Sequence, residues 1–116
     1  MKRSEPTRDW TDARIKVDLE ARCRKCHAEP PHLEAAHLVG RKHDEPHPDG
    51  TKRLWVNPGR IVPLCPDCHQ LFDSHQLDLL SHLSVEEQLL AVSDCGSLEI
   101  ARRRLAPSAY VESLAS

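Results

Sequence analysis

The residues that could do chemistry fall into two sets. One is a pair of Cys-x-x-Cys units, Cys23 with Cys26 in "CRKCH" and Cys65 with Cys68 in "CPDCHQLFD". The other is a set of histidines and an acid close to those units: His37 in "EAAHLVG", His69 directly after Cys68, and Asp73 four residues beyond His69. Four thiolates in two knuckles suit tetrahedral zinc, and a four-thiolate site leaves the ion no open position. Such a site is structural: it ties the segment before the first strand to the start of the helix that follows Cys65. Joining the knuckles also brings His37 and His69 toward one another. A neutral imidazole on a strand can take a proton from water, and one on a facing helix can hold a divalent metal. His69 and Asp73, at i and i+4, project from one helix face.

The elements that must position these residues follow from periodicity and punctuation. Trp10, Ala13, Val17 and Ala21 recur at helical spacing after Thr7, which predicts a first helix at about residues 8–21 with Thr7 as its N-cap. Pro30 and Pro31 exclude a helix there. "LEAAHLVG" reads as a short strand ending at Gly40, and "RIVPLC" as a second in which Pro63 marks an edge or an end. Between them lies a polar, Pro- and Gly-rich loop over residues 40–53. A helix starts at Pro66 and runs to about Ser74. Ser84 and Glu87 form a capping box for a helix closing at Gly96, and another runs from Ser97 until Pro107. The expected class is α+β, a small zinc-bound core with an N-terminal helix (1–22), a core at 23–75 and a C-terminal helical extension (76–116).

Composition narrows the function classes. A chain of 116 residues is one domain with an extension, and with 3% aromatic residues its core is thin, so a metal staple would help to hold it. No apolar run spans a bilayer and the charged N-terminus is no signal peptide, which predicts an intracellular protein without a membrane partner. In a reducing compartment paired Cys-x-x-Cys units are metal ligands rather than disulfides. The fifth cysteine, Cys95, reads as a small apolar filler. The net charge is −2, but residues 1–26 hold eight Lys or Arg against five acids, residues 64–101 hold seven acids and no base, and Arg102, Arg103 and Arg104 form a cluster. A local basic face for DNA and ordinary solvated helix faces both fit that distribution.

"CRKCH…EAAHLVGR…NPGRIVPLCPDCHQLFD" resembles an HNH endonuclease of the ββα-metal type, specifically the small zinc-stapled proteins of bacteriophage and bacterial genomes. The resemblance covers about residues 23–75. It implies a metal-dependent DNA endonuclease, a phosphodiester hydrolase of phage or bacterial DNA processing, acting in the cytoplasm of a bacterial cell or host. His37 matches the general base, and His69, with Asp73 one turn later, matches the ligands of a catalytic divalent metal (Mg²⁺, Mn²⁺ or Ni²⁺). Asn57 in "NPG" is either the motif asparagine with the loop shifted or a turn residue; the position that aligns directly is Arg60. Where many members carry a metal-binding Asp or His before the base, this chain has Ala36, and Glu34 two residues earlier is the nearest substitute. The resemblance points to DNA as partner, with phage packaging or other DNA-processing proteins beyond it.

Two other classes fit the same residues: a non-catalytic zinc-bound DNA-binding module, and a protein-interaction adaptor that docks through its acidic C-terminal helices. The loop with Arg41, Lys42, His43, His47, Lys52 and Arg53 reads either as a DNA-contacting segment, with His43 or Asp44 reaching the metal, or as a solvated loop. Trp55 reads as a core residue ahead of a contact to the DNA backbone. His75 and His82 carry no assigned role.

Overall fold

The computed structural model describes residues 7–115. The N-terminal lysine and arginine at positions 2 and 3, part of the expected basic segment, lie outside the described residues. The elements are β1 (Arg8–Asp9), α1 (Thr11–Glu20), β2 (Glu34–His37), β3 (Glu45–Pro46), β4 (Leu54–Trp55), β5 (Ile61–Leu64), α2 (Pro66–Asp73), α3 (Val85–Cys95), α4 (Leu98–Leu105) and α5 (Pro107–Ala115).

The centre is a ββα unit. β2 pairs antiparallel with β5, Ala36 opposite Val62 and His37 opposite Ile61, and α2 packs on both strands. Pro63 sits in a two-stranded ribbon, where the missing N–H disturbs no second neighbour. All four β5 residues are buried, so this short apolar run is the floor of the core. Leu38, Phe72, Leu79, Leu105 and Val17 close around it, drawing α1, α2 and α4 onto one cluster.

α1 is shorter than its apolar stripe predicts. Arg8 and Asp9 are drawn into a parallel pairing with Leu54 and Trp55, and the Asp9 carboxylate, not Thr7, accepts the free Thr11 N–H at 3.0 Å. Only Ala13 and Val17 of the expected stripe are fully buried. The loop over 40–53 is likewise more ordered than its composition suggests. It holds a 3-10 turn at Arg41–His43 and the strand β3, which pairs antiparallel with β4, giving a second sheet in the order β1-β4-β3. Trp55 is half-buried, and its indole N–H donates to Asp12 at 2.9 Å.

The C-terminal helices follow their punctuation. Ser84 accepts from the Glu87 N–H and the Glu87 carboxylate accepts from the Ser84 N–H, a complete capping box, and Gly96 ends α3 in the left-handed region at φ 89°. Ser97 caps α4. Pro107 ends α4 but also begins α5, as its fixed φ suits a first helical turn. Among the described residues no helix is long and apolar enough to cross a membrane.

Candidate active site and metal centre

The four cysteines converge. Cys23, Cys26, Cys65 and Cys68 offer sulfurs that all lie within 4.8 Å of one another. The Cys26 and Cys65 sulfurs are 3.8 Å apart. The edge of a tetrahedron with Zn–S arms of about 2.3 Å is about 3.8 Å, so the donor set fits one tetrahedral ion. Local structure builds each knuckle. The Cys23 carbonyl accepts from the His27 N–H, with His27 in the left-handed region, and Cys65 caps α2 by accepting from the Cys68 N–H at 3.4 Å. Burial opposes ionisation of Cys23, but backbone N–H groups of Cys26, Cys65 and Lys25 outweigh it and bring the thiol down to about 7. Burial and the neighbouring sulfurs push Cys68 far up. Crowded thiols cannot all ionise alone, and a shared cation is what permits it.

Beside this centre is a cleft of about 270 Å³, whose lining includes His37, His69 and Asp73. β2 supplies His37 and α2 supplies the other two. The His37 Nε2 lies 3.0 Å from Asp44 Oδ1, and the other Asp44 oxygen accepts from Arg8 Nε at 2.8 Å. The Asp44 side chain is wholly buried. An ionised carboxylate only accepts, so this contact places the proton on Nε2 and leaves the Nδ1 lone pair of His37 to take a proton. Trp10 meets the imidazole edge to face at 5.2 Å and fixes its plane.

His69 is oriented in the same manner. Its Nδ1 lies 2.8 Å from Glu34 Oε1, and its Nε2 lies 3.6 Å from Asp73 Oδ2. A carboxylate on one ring nitrogen sets the tautomer and frees the other nitrogen for a cation. Imidazole and carboxylate together suit a divalent metal of the Mn²⁺ to Zn²⁺ range, so the donor set is chemically fit for one.

The other expected residues lie elsewhere. Asn57 is not part of the cleft lining: its Nδ2 donates to Glu45 Oε2 at 2.8 Å and its Oδ1 accepts from the Gly59 N–H at 2.9 Å. Arg60 joins Glu45 to Asp94. Both therefore hold β3, the strand that begins directly after Asp44. His43 stands 3.8 Å from Asp94, and His47 bonds Asp9 at 2.8 Å, so neither loop histidine reaches the cleft. Ala36, where the resemblance lacks a ligand, offers only a methyl group. It is wholly buried in the core, between the cleft-lining Ala35 and His37, and shares its strand face with Glu34, whose carboxylate reaches His69.

Two residues at the site had no role as partners in the sequence reading. Asp44 drew notice only as a possible metal contact, and its pairing with His37 depends on a loop whose path no periodicity reveals. Arg104 lines the cleft from α4, seen in the sequence only as one of a basic trio.

Comparison with known proteins adds one finding. Residues 23–78 match a family model described as HNH endonuclease. Neither the curated proteins nor the solved structures yield a match. The matched segment begins at the first cysteine knuckle, includes His37, His69 and Asp73, and ends just beyond α2. It is thus the ββα unit with its four-cysteine centre, residues 23–78, that is similar to the HNH endonuclease family.

Proposed function

We propose that the protein is a metal-dependent DNA endonuclease with His37 as general base and His69 and Asp73 as the holders of a catalytic divalent cation. The observation that carries this reading is the meeting of His37, His69 and Asp73 in one cleft. His37, its Nε2 proton held by Asp44, would take the proton of a water at Nδ1. Glu34 would keep His69 Nδ1 protonated and its Nε2 directed at the cation. The cation, when bound, supplies positive charge to the leaving 3′-oxygen. Asn57 and Arg60 would act from a distance, by holding the β3 loop and with it Asp44. The four cysteines would carry zinc in a structural role. The setting that fits is DNA processing inside a bacterial cell, including that of a phage.

The test is cleavage of supercoiled plasmid over a panel of Mg²⁺, Mn²⁺ and Ni²⁺. Wild type should nick or linearise DNA only with a divalent ion added. His37→Ala should lose roughly 10² to 10⁴ in rate while its fold and DNA binding persist. Metal-independent cleavage, or a His37→Ala variant as fast as wild type, would overturn the assignment. DNA binding without cleavage under every metal would identify a binding module instead.

A further inference from the structure

Arg104 lies on α4, outside the segment that matches the family, yet it lines the same cleft as His37, His69 and Asp73. Its guanidinium carbon sits 4.5 Å over the Phe72 ring. Its Nε donates to the Leu38 carbonyl at 3.3 Å, one residue after His37, and its Nη1 lies 3.3 Å from His75 Nδ1. These partners are an aromatic ring, a carbonyl and an imidazole. Among the described residues no carboxylate comes within ion-pair distance of Arg104. The same holds for Arg41, the other guanidinium of the cleft lining. Elsewhere the half-buried arginines are neutralised: Arg24 by Glu20 and Glu87, Arg60 by Asp94 and Glu45. Arg104 is thus a positioned cation without a protein anion, in a cleft that would receive a phosphodiester.

We propose that Arg104 is a phosphate-binding residue of this cleft, holding a non-bridging oxygen of the bound DNA strand, with Arg41 adding charge from the rim. The guanidinium fork matches two phosphate oxygens, and its stem is already held on Phe72, so little rotamer freedom is lost on binding. The proposal rests on the nuclease reading for the identity of the ligand. It adds that the C-terminal helices form part of the substrate site.

The test compares Arg104→Gln and Arg104→Lys with Arg102→Gln, an exposed neighbour on the same helix. A fluorescein-labelled 12-base-pair duplex is titrated without divalent metal over a series of salt concentrations. Arg104→Gln should weaken binding about tenfold and lower the salt slope by about 1. Arg104→Lys should fall between, and Arg102→Gln should match wild type. A purely structural role would instead lower the thermal midpoint and leave the salt slope unchanged. If Arg104→Gln does not fold, the affinity and slope of Arg104→Lys decide. In the metal-dependent plasmid assay Arg104→Gln should lose about tenfold in kcat/KM. If wild type cleaves plasmid and the Arg104 variants match Arg102→Gln, this proposal falls and the nuclease reading stands. If wild type never cleaves but duplex binding depends on Arg104, the nuclease reading falls and the phosphate site stands. Loss of both effects overturns both.

Discussion

His37 illustrates how much one contact decides. An imidazole on a strand becomes a directed base only when one nitrogen is committed, and the buried Asp44 carboxylate commits Nε2. Asp44→Asn keeps the shape but removes the charge that favours this tautomer and steadies the imidazolium formed on proton uptake. It should cost roughly 10² in plasmid-cleavage rate, with the circular dichroism spectrum and metal content unchanged. Position 36 makes the opposite case. The resemblance invites Ala36→Asp as a restored metal ligand, but the carboxylate would have to enter a wholly buried position opposite Val62. The expected result is a loss of roughly 2–4 kcal/mol in urea unfolding, and no gain in metal affinity by titration calorimetry.

Among the elements, the junction of α1, α3 and the first knuckle depends on Glu87. Its side chain is 4% exposed and accepts from Lys16 at 2.6 Å and Arg24 at 2.6 Å while completing the α3 capping box. Burial disfavours its charge, but the hydrogen bonds from Arg24, Lys16 and the Ser84 backbone prevail and hold the carboxyl at about 2, against an ordinary 4.5. A folded pKa below the unfolded one stabilises fully above the unfolded value. That contribution is lost as pH falls from about 4.5 toward about 2. Glu87→Gln leaves Lys16 without its carboxylate and Arg24 with Glu20 alone, and should cost about 3 kcal/mol at pH 7. The gap between wild type and variant in thermal midpoint should narrow on acidification through that window. The capping box, the α3 and α4 boundaries and the four cysteines were legible because short-range chemistry defines them. The β1-β4-β3 sheet was not. Its strands have two residues each, too few for alternation to register, and the pairing of Arg8 with Leu54 spans the core. Glu34 was legible as a nearby donor but not as the partner of His69, because that contact requires α2 to lie on β2.

For the whole molecule, the four-cysteine centre and the thin core belong together. Purified protein should carry about one tightly bound zinc per chain. A structural zinc can contribute roughly 10 kcal/mol or more to folding. Cys65→Ser should therefore leave the core unfolded or insoluble, and a strong chelator should lower the thermal midpoint of wild type sharply. Well-folded, metal-free protein with freely reactive thiols would contradict both expectations.

The cleft draws its lining from Trp10 near one end of the sequence to Arg104 near the other. A ribosome emitting this chain cannot deliver a finished cleft early. When the second cysteine knuckle has emerged and the ββα unit can close, α4 is still to come. A message cut short after residue 78 would thus encode the family-matched segment without the arginine that α4 brings to the cleft, so stray products of interrupted translation would carry an incomplete cleft.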